Sequence, residues 1–367
     1  MAQERLLALQ KYGQSVWIDF ISRDALASGE LARMVEAGVL GLTSNPSIFE
    51  KAISTGVTYD VDITDLARRG KSVPQIYEAL ALADIRAAAA LLRPVYDRTD
   101  ALDGYVSLEV SPHLAHDTAG TIAEARRLWA ALDRPNILIK VPGTPEGIPA
   151  IAELIRSGIN VNVTLLFALD AYEAAANAYL DGLTARAEAG GEVRNVASVA
   201  SFFVSRVDTA VDKRLAGRPA GRSLRGRAAV ANARLAYARF QEIFAGPCWE
   251  ALAARGARVQ RPLWASTSTK DPAYPDTLYV DELIGPHTVN TMPPQTLAAF
   301  SDHGRLGETI TQGVVEAEAL MGQLAALGID MDDVTDELLR AGVKAFSDAF
   351  DQLLAGLTAK VSKAHKK

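Results

Sequence analysis

Eight short apolar runs, separated by longer stretches with helical periodicity, constrain the fold of this chain more than any other feature. Such alternation is typical of a parallel sheet whose faces are covered by helices. Eight strands also close a barrel of about 250 residues, and 367 residues accommodate that barrel with additions. We therefore predict an α/β fold, a (β/α)8 TIM barrel with additional helical insertions, although an open sheet is compatible with the same pattern. The predicted strands are 15–20, 41–45, 104–111, 136–141, 159–167, 196–203, 262–267 and 287–292.

The whole chain, 1–367, is predicted to form one domain, because neither an internal repeat nor a low-complexity linker divides it. Two stretches, at about 50–100 and 206–260, exceed what a single crossover helix needs and are predicted to be helical insertions. The region from about 294 to 363 has a helical pattern throughout. It ends in the basic tail KVSKAHKK, which we expect to be a frayed terminus rather than a binding element.

The composition is that of an ordinary globular protein, with 49% hydrophobic and 22% charged residues. A net charge of −6 argues against nucleic acid or an anionic membrane as a partner. We find neither an apolar run long enough to span a membrane nor a signal-peptide pattern at the N-terminus. Cys248 is the one cysteine and cannot form an intrachain disulfide, so a cytoplasmic location is expected. The oligomeric state is not readable from the sequence.

A polar face runs along several predicted strands and reaches their C-terminal ends. Side chains alternate between the two faces of a strand, so in 159–167 Asn162 and Thr164 lie opposite Val161 and Val163. A parallel strand buried on both faces is normally apolar throughout, whereas the active sites of TIM barrels are built at the C-terminal strand ends. The side chains predicted to converge in the barrel mouth are Asp19, Asn45, Glu109, Lys140, Asn162 and Thr164.

Lys140, in an apolar strand, is the strongest single indication of catalysis. Burial of an ammonium ion is costly unless the group is paired or neutral, and a neutral amine attacks a ketone to form a Schiff base. Asp19 is then a candidate base for breaking a carbon–carbon bond, and Glu109 with the Thr164 hydroxyl for removing water from the carbinolamine. Taken singly, each polar residue is also compatible with a structural role. Their joint placement favours Schiff-base chemistry.

Metal-dependent chemistry finds little support in the sequence. Its cysteine, histidines and carboxylates form no cluster with the spacing of metal ligands, so we predict no metal and no cofactor. Most of the histidines fall in predicted loops, and none is predicted to be catalytic. They are His113, His116, His287, His303 and His365.

Five segments resemble transaldolases and follow one another in family order from about residue 14 to 300, about four-fifths of the chain. The Thr-Ser-Asn-Pro-Ser and Ile-Lys-Val-Pro-Gly-Thr motifs are a strong signal in combination. The segments are GLTSNPSIFEKAI, ILIKVPGTPEGIPAI, GINVNVTLLF, SVASFFVSRVD and LWASTSTKDPAYPDTLYVDELIGPHTVNTMPP.

The resemblance implies sugar-phosphate substrates in the non-oxidative pentose phosphate pathway. A dihydroxyacetone unit would pass from sedoheptulose 7-phosphate to glyceraldehyde 3-phosphate, giving erythrose 4-phosphate and fructose 6-phosphate. Lys140 would form the Schiff base, Asp19 would serve carbon–carbon cleavage, and Glu109 and Thr164 would hold the catalytic water. The residues implied to bind substrate are Asn45, Asn162 and Ser201 at the dihydroxyacetone unit, and Arg206 and Ser266 at the phosphate.

One position departs from the family pattern, because Ser268 stands where a second phosphate-binding arginine is expected. Lys270 is a candidate for the missing positive charge. The nearest alternative, a fructose-6-phosphate aldolase, has a glutamine and a tyrosine where this chain has Glu109 and Phe203. We predict that Phe203, which lacks a hydroxyl to protonate the enamine, favours transfer over release. A catalytically inactive barrel that binds sugar phosphates is a further alternative, which the intact catalytic set disfavours.

Overall fold

The computed structural model describes residues 2–55 and 57–364. Within them, eight parallel strands close into a barrel in which each strand pairs with the next and the eighth returns to the first. This confirms the predicted (β/α)8 barrel and excludes the open sheet. The strands are β1 (Gln14–Asp19), β2 (Gly41–Thr43), β3 (Val106–Glu109), β4 (Ile137–Pro142), β5 (Val161–Leu166), β6 (Ser198–Phe203), β7 (Arg261–Ala265) and β8 (Thr288–Met292).

Helices surround the barrel and fill the predicted additions. Short 3-10 turns cover Gln10–Tyr12, Pro112–Leu114 and Pro219–Leu224. The α-helices are α1 (Ala2–Leu9), α2 (Arg23–Ala27), α3 (Glu30–Glu36), α4 (Pro46–Thr55), α5 (Asp60–Arg68), α6 (Val73–Arg98), α7 (Thr118–Leu132), α8 (Gly147–Arg156), α9 (Leu169–Glu188), α10 (Ser205–Leu215), α11 (Ala228–Ile243), α12 (Pro247–Ala253), α13 (Leu278–Asp281), α14 (Pro294–His303), α15 (Val314–Ala326) and α16 (Met331–Ala364).

The strand β4 illustrates how the sequence specifies the barrel wall. Its outward side chains Ile137, Ile139 and Val141 are fully buried, with α7 and α8 packed against the strand. Each such side chain contributes roughly 1.5–3 kcal/mol on burial. The same alternation leaves Lys140 on the inner face, where the closed barrel excludes most solvent.

The first predicted insertion forms α4, α5 and α6, and all three helices contact α16. The start of α6 is fixed by a capping box, in which the Ser72 amide donates to Gln75 Oε1 over 3.0 Å. The second insertion contains α10, α11 and α12. Because α10 begins directly after β6, its first turn lies at the barrel mouth.

The long helix α16 crosses the barrel mouth. Its Phe346 ring faces the Lys140 amine, and Lys360 near its end pairs with Asp60 of α5, with 2.7 Å between Nζ and Oδ1. The predicted frayed tail is therefore wrong for residues 360–364, which continue this helix. The remainder of that tail, including His365, lies outside the described residues.

A second polar cluster closes the opposite end of the barrel. Asp103 accepts hydrogen bonds from Ser15 Oγ at 2.7 Å and Trp17 Nε1 at 3.0 Å, and its carboxylate pairs with Arg261 at 2.9 Å. The Arg261 and Asp103 side chains are 6% and 3% exposed. This cluster, the barrel floor, satisfies its buried charges internally and leaves the mouth as the end open to chemistry. In the part of the chain that the structure describes, every helix is too short or too polar to cross a membrane.

Candidate active site

The register of three neighbouring strands brings the central predicted residues side by side. Glu109 of β3 is the register partner of Lys140 in β4, and Lys140 is in turn the partner of Asn162 in β5. Across the barrel, Asp19 at the end of β1 is paired with Thr43 of β2. Alternating polar residues at strand ends therefore meet in one layer, as the sequence pattern predicted.

Lys140 is almost wholly buried in this layer, with 4% of its side chain exposed. Its Nζ donates a hydrogen bond to the Ser44 backbone oxygen over 3.2 Å and lies 3.6 Å from Glu109 Oε2. The Phe346 ring centroid stands 5.7 Å away on another side. The amine thus has a carboxylate within reach of proton exchange and an aromatic ring covering it.

Glu109 is a carboxyl group adapted to take and return a proton near neutrality. Burial raises the pKa of Glu109 to about 7, although the Lys140 ammonium opposes the shift. Within the described residues, the two carboxyl oxygens of Glu109 are buried and have no hydrogen-bond partner, and the same holds for the buried Thr164 Oγ1. A carboxyl and a hydroxyl with free lone pairs, on the two strands that flank β4, are suited to hold and activate water.

Asp19 provides a second acid–base group on a different side of the mouth. The Thr43 hydroxyl donates to Asp19 Oδ1 over 2.6 Å. Burial raises the pKa of Asp19, and the positive charges of Lys140 and Arg206 together with the Thr43 hydrogen bond moderate the increase. Thr43 was not among the predicted site residues, and it orients this carboxylate.

Asn162 and Ser201 belong to one hydrogen-bonded chain. Ser201 Oγ donates to Asn162 Oδ1 over 2.7 Å, and Asn162 Nδ2 donates to Ser107 Oγ over 3.0 Å. All three side chains are buried. The chain holds the amide plane of Asn162 beside Lys140, and Ser107 is the member that was not predicted.

Asn45 has a structural role that does not conflict with ligand binding. Its Oδ1 accepts a hydrogen bond from the Ile48 amide over 3.0 Å, which caps the start of α4. The cap fixes the side chain at the end of β2, and in the described structure Nδ2 donates to no protein group. That amide nitrogen is available to a sugar hydroxyl.

The predicted phosphate ligands gather where β6 and β7 end. Arg206 lies in the first turn of α10, makes no ion pair within the described ranges, and has its guanidinium 5.2 Å from the centroid of the Phe203 ring. Burial lowers the pKa of Arg206, and Asp19 opposes this. Ser266 Oγ lies 2.9 Å from Ser205 Oγ. A partly buried guanidinium at a helix N-terminus is suited to an anion.

Lys270 lies at the edge of this group rather than within it. It is exposed, and its Nζ donates to Ser268 Oγ over 2.6 Å. Desolvation of its amine by the surrounding protein and the positive charge of Arg206 lower the pKa of Lys270. Its charge therefore acts on the same space as the Arg206 guanidinium, which is compatible with the predicted replacement of the family's second arginine.

Two residues at the mouth have a left-handed backbone that the sequence does not reveal. Leu165 has a φ of 59° at an irregularity in the β5–β6 pairing, and Ser266 has a φ of 56° just after β7. This conformation is costly for residues other than glycine and is found preferentially at functional sites. Leu165 directly follows Thr164, and Ser266 is itself a predicted phosphate ligand.

The four histidines that the structure describes lie outside the buried catalytic layer. His113, His116, His287 and His303, the four that the structure describes, are all exposed. Across residues 2–55 and 57–364, no three His, Cys, Asp or Glu side chains cluster as metal ligands would.

Comparison with known proteins gives an independent view of the same chain. The model of the family described as Transaldolase/Fructose-6-phosphate aldolase matches residues 16–357. A transaldolase of Parafrankia sp. is 54% identical over 94% of this chain and 95% of its own length. A transaldolase of Acidothermus cellulolyticus is 53% identical over 98% of both chains, and transaldolase 2 of Nostoc sp. is 48% identical over 98% of both. The barrel, the segments and these matches agree, and the chain belongs to the transaldolase/fructose-6-phosphate aldolase family.

Proposed function

We propose that this protein is a transaldolase that moves a dihydroxyacetone unit between sugar phosphates through a Schiff base on Lys140. The observation that carries the proposal is the buried Lys140–Glu109 pair, 3.6 Å apart in the barrel mouth. It is supported by relatives named transaldolase, which match this chain over nearly their full length. The reaction transfers the unit from sedoheptulose 7-phosphate to glyceraldehyde 3-phosphate and yields erythrose 4-phosphate and fructose 6-phosphate.

The first half of the reaction forms the Schiff base. Glu109 accepts a proton from the Lys140 ammonium, and the neutral amine adds to the C2 carbonyl of the ketose to give a carbinolamine. Glu109 then returns a proton to the carbinolamine oxygen, with Thr164 holding the intervening water, and water leaves. A carboxyl whose pKa is raised to about 7 can perform both transfers near neutral pH.

The second half breaks and forms the carbon–carbon bond. Asp19 takes the proton of the C4 hydroxyl, the bond between C3 and C4 breaks, and its electron pair moves into the iminium to give an enamine. The aldose leaves, the acceptor aldehyde enters, and the enamine carbon attacks its carbonyl while Asp19 returns the proton. Water then adds to C2 of the new iminium, the C–N bond breaks, and the product ketose leaves with Lys140 restored. Asn45, Asn162 and Ser201 hold the hydroxyl groups of the bound unit.

The phosphate binds where Arg206 and Ser266 lie, with Lys270 adding positive charge. A guanidinium forms two parallel hydrogen bonds to phosphate and so fixes its orientation. The phosphate then sets the distance at which the sugar carbonyl meets Lys140. Phosphorylated sugars carry charge that opposes passage through a bilayer, and a cytoplasmic location fits such substrates.

We also propose that the whole chain acts as one domain. The strands that carry the site extend from β1 to β8, and α16 returns to the mouth that the strands build. A division anywhere between them would separate parts of one pocket.

The proposal is tested by borohydride reduction in the presence of fructose 6-phosphate, followed by peptide mass spectrometry. We expect a dihydroxyacetone adduct on Lys140 in the wild type and none in Lys140→Met. Lys344→Met, which removes an exposed lysine of α16, is the control and should retain the adduct. A folded wild-type protein that gives no adduct, or one on another lysine, would contradict the proposal.

A further inference from the structure

Helix α16 covers the barrel mouth at a residue outside the motifs of the family resemblance. Phe346 is 4% exposed, and its ring centroid lies 5.7 Å from Lys140 Nζ. The amine faces Glu109 on one side and this ring on another. Any molecule that reaches a group bound to Lys140 from the α16 side must therefore displace an aromatic ring.

The position of the ring is fixed by close packing of α16 on the barrel rim. Gly342, one turn before Phe346, is buried, and a Cβ atom there would lie 3.0 Å from Leu165 Cδ2 and 3.7 Å from Arg206 Nη1. Leu165 reaches the helix from the left-handed backbone position at the end of β5. A glycine thus lets α16 approach the strand that carries Thr164.

Contacts on the other side of Phe346 hold the helix in the same place. Phe350 forms an edge contact with Tyr77 of α6, with ring centroids 5.3 Å apart. Asp351 Oδ1 lies 2.9 Å from His113 Nε2. The ring is therefore part of a packed element rather than of a free loop.

We propose that Phe346 shields the enamine on Lys140 from water and proton donors, and that it thereby sets the share of turnovers that end in transfer rather than release. This inference rests on the proposed Schiff base. Premature release needs two co-reactants: a proton added to the enamine carbon, which restores the iminium, and a water molecule whose oxygen adds to C2. Cleavage of the C–N bond then returns the amine and frees dihydroxyacetone. Transfer needs the acceptor aldehyde at the same carbon, and water only afterwards, to hydrolyse the new Schiff base and free the product.

The ring suits this task because it supplies neither reactant and excludes both. Its face also interacts favourably with a cationic nitrogen, so the iminium is stabilised while the space above it stays dry. Phe203 has a different place in the mouth, since its ring contacts Arg206 and Phe167. The two phenylalanines therefore reach the mouth from different elements, Phe203 from β6 and Phe346 from α16.

The test compares two rates in Phe346→Ala: release of dihydroxyacetone from fructose 6-phosphate alone, and transfer to erythrose 4-phosphate. We expect the ratio of release to transfer to rise about tenfold, because an opened site admits water to a reactive intermediate. Phe346→Leu keeps an apolar cover and should stay close to the wild-type ratio. Phe346→Gln keeps length and helix propensity but brings polar atoms, and it should raise the ratio even if the alanine variant folds poorly.

The control is Leu357→Ala, which removes a buried apolar side chain further along the same helix. Its ratio should not change. An unchanged ratio in both Phe346→Ala and Phe346→Gln, or an equal rise in Leu357→Ala, overturns the inference. Borohydride trapping on each variant distinguishes a failure of the proposed shield from a failure of the proposed Schiff base. An adduct on Lys140 with no change of ratio refutes only the shield, whereas a wild type without adduct refutes the Schiff base itself.

Discussion

Lys140 Nζ and Glu109 Oε2 lie 3.6 Å apart, and the two side chains are 4% and 3% exposed. In such a setting neither charge is stabilised by water, so the two groups depend on each other. A proton that moves between them removes both charges at once. The pair is thus a source of neutral amine that needs no other partner.

Replacement of Glu109 by glutamine should slow formation of the Schiff base far more than it weakens substrate binding. Glutamine keeps the shape but cannot accept the proton of Lys140 or return it to the carbinolamine. We expect kcat to fall by about 10²- to 10⁴-fold, the usual contribution of a general acid–base, with KM changed little. Rapid-quench borohydride trapping measures the step directly. Adduct formation at the wild-type rate would exclude Glu109 from this role.

The pH dependence of adduct formation should also reflect the Lys140–Glu109 pair. Below about pH 7, the raised pKa of Glu109 leaves it protonated and unable to accept a proton from Lys140, so the rate of adduct formation should fall as the pH decreases. The apparent pKa then belongs to the pair rather than to one residue. In Glu109→Gln the acidic limb near pH 7 should disappear. A limb that persists unchanged in this variant would assign it to another group.

The contribution of Glu109 to the free energy of unfolding should decrease as the pH rises. The pKa of Glu109 is raised from 4.5 in the unfolded chain to about 7 in the fold. Its contribution is therefore fully present below about pH 4.5 and is lost as the pH rises through about 7. Urea unfolding at several pH values should show the wild type losing stability relative to Glu109→Gln over this interval. An opposite trend would contradict the burial effect.

The phosphate site makes a separate prediction about Arg206 and Lys270. Arg206→Lys loses the two-pronged geometry and should raise KM for fructose 6-phosphate by about tenfold or more. Lys270→Ala should have a smaller effect of the same kind, which Ser268→Arg in that background should reverse. Initial rates against donor concentration measure each case. An unaltered KM in Lys270→Ala would remove this residue from the phosphate site.

Phe203→Tyr tests the predicted distinction from fructose-6-phosphate aldolases. A phenol at this position can protonate the enamine, so the variant should gain release of dihydroxyacetone from fructose 6-phosphate without acceptor. The assay couples the glyceraldehyde 3-phosphate formed to a dehydrogenase. No gain of donor-only cleavage in a folded variant would refute the role given to the missing hydroxyl.

The barrel floor should matter for stability and not for chemistry. Arg261→Ala leaves the carboxylate of Asp103 buried without its charged partner and should cost about 3–5 kcal/mol of unfolding free energy. Arg258→Ala breaks an exposed pair with Asp100 and should cost no more than about 1 kcal/mol. Thermal unfolding compares the two. Equal losses would mean that the floor cluster is not stabilised by its charge pairing.

Much of the fold and the catalytic layer could be predicted because both depend on local alternation. Each strand is a short apolar run, and a polar residue at its end shows which face it uses, so Lys140 and Glu109 follow from the pattern. Ser107 and Thr43 were missed because a serine or threonine in a strand gives no sign of its hydrogen-bond partner. The left-handed backbone of Leu165 could not be predicted, because glycine is the residue that usually indicates this conformation.

The place of Phe346 beside Lys140 could not be predicted from the sequence, for a different reason. The helical pattern of the C-terminal region identifies an apolar face but not the element against which that face packs. From the sequence alone, Gly342 only lowers the helix propensity of this region. Its role becomes evident from the close approach of Leu165. Tertiary contacts across the sequence, rather than propensity, decide these positions.

The crossing of the mouth by α16 has a consequence for the order of events on the ribosome. All eight strands, and with them every residue of the catalytic layer, are synthesised before Phe346, because β8 ends at Met292. A nascent chain can thus close its barrel while the amine at its centre is still open to solvent. The helix that begins at Met331, which carries the proposed shield, is synthesised only after every strand of the barrel.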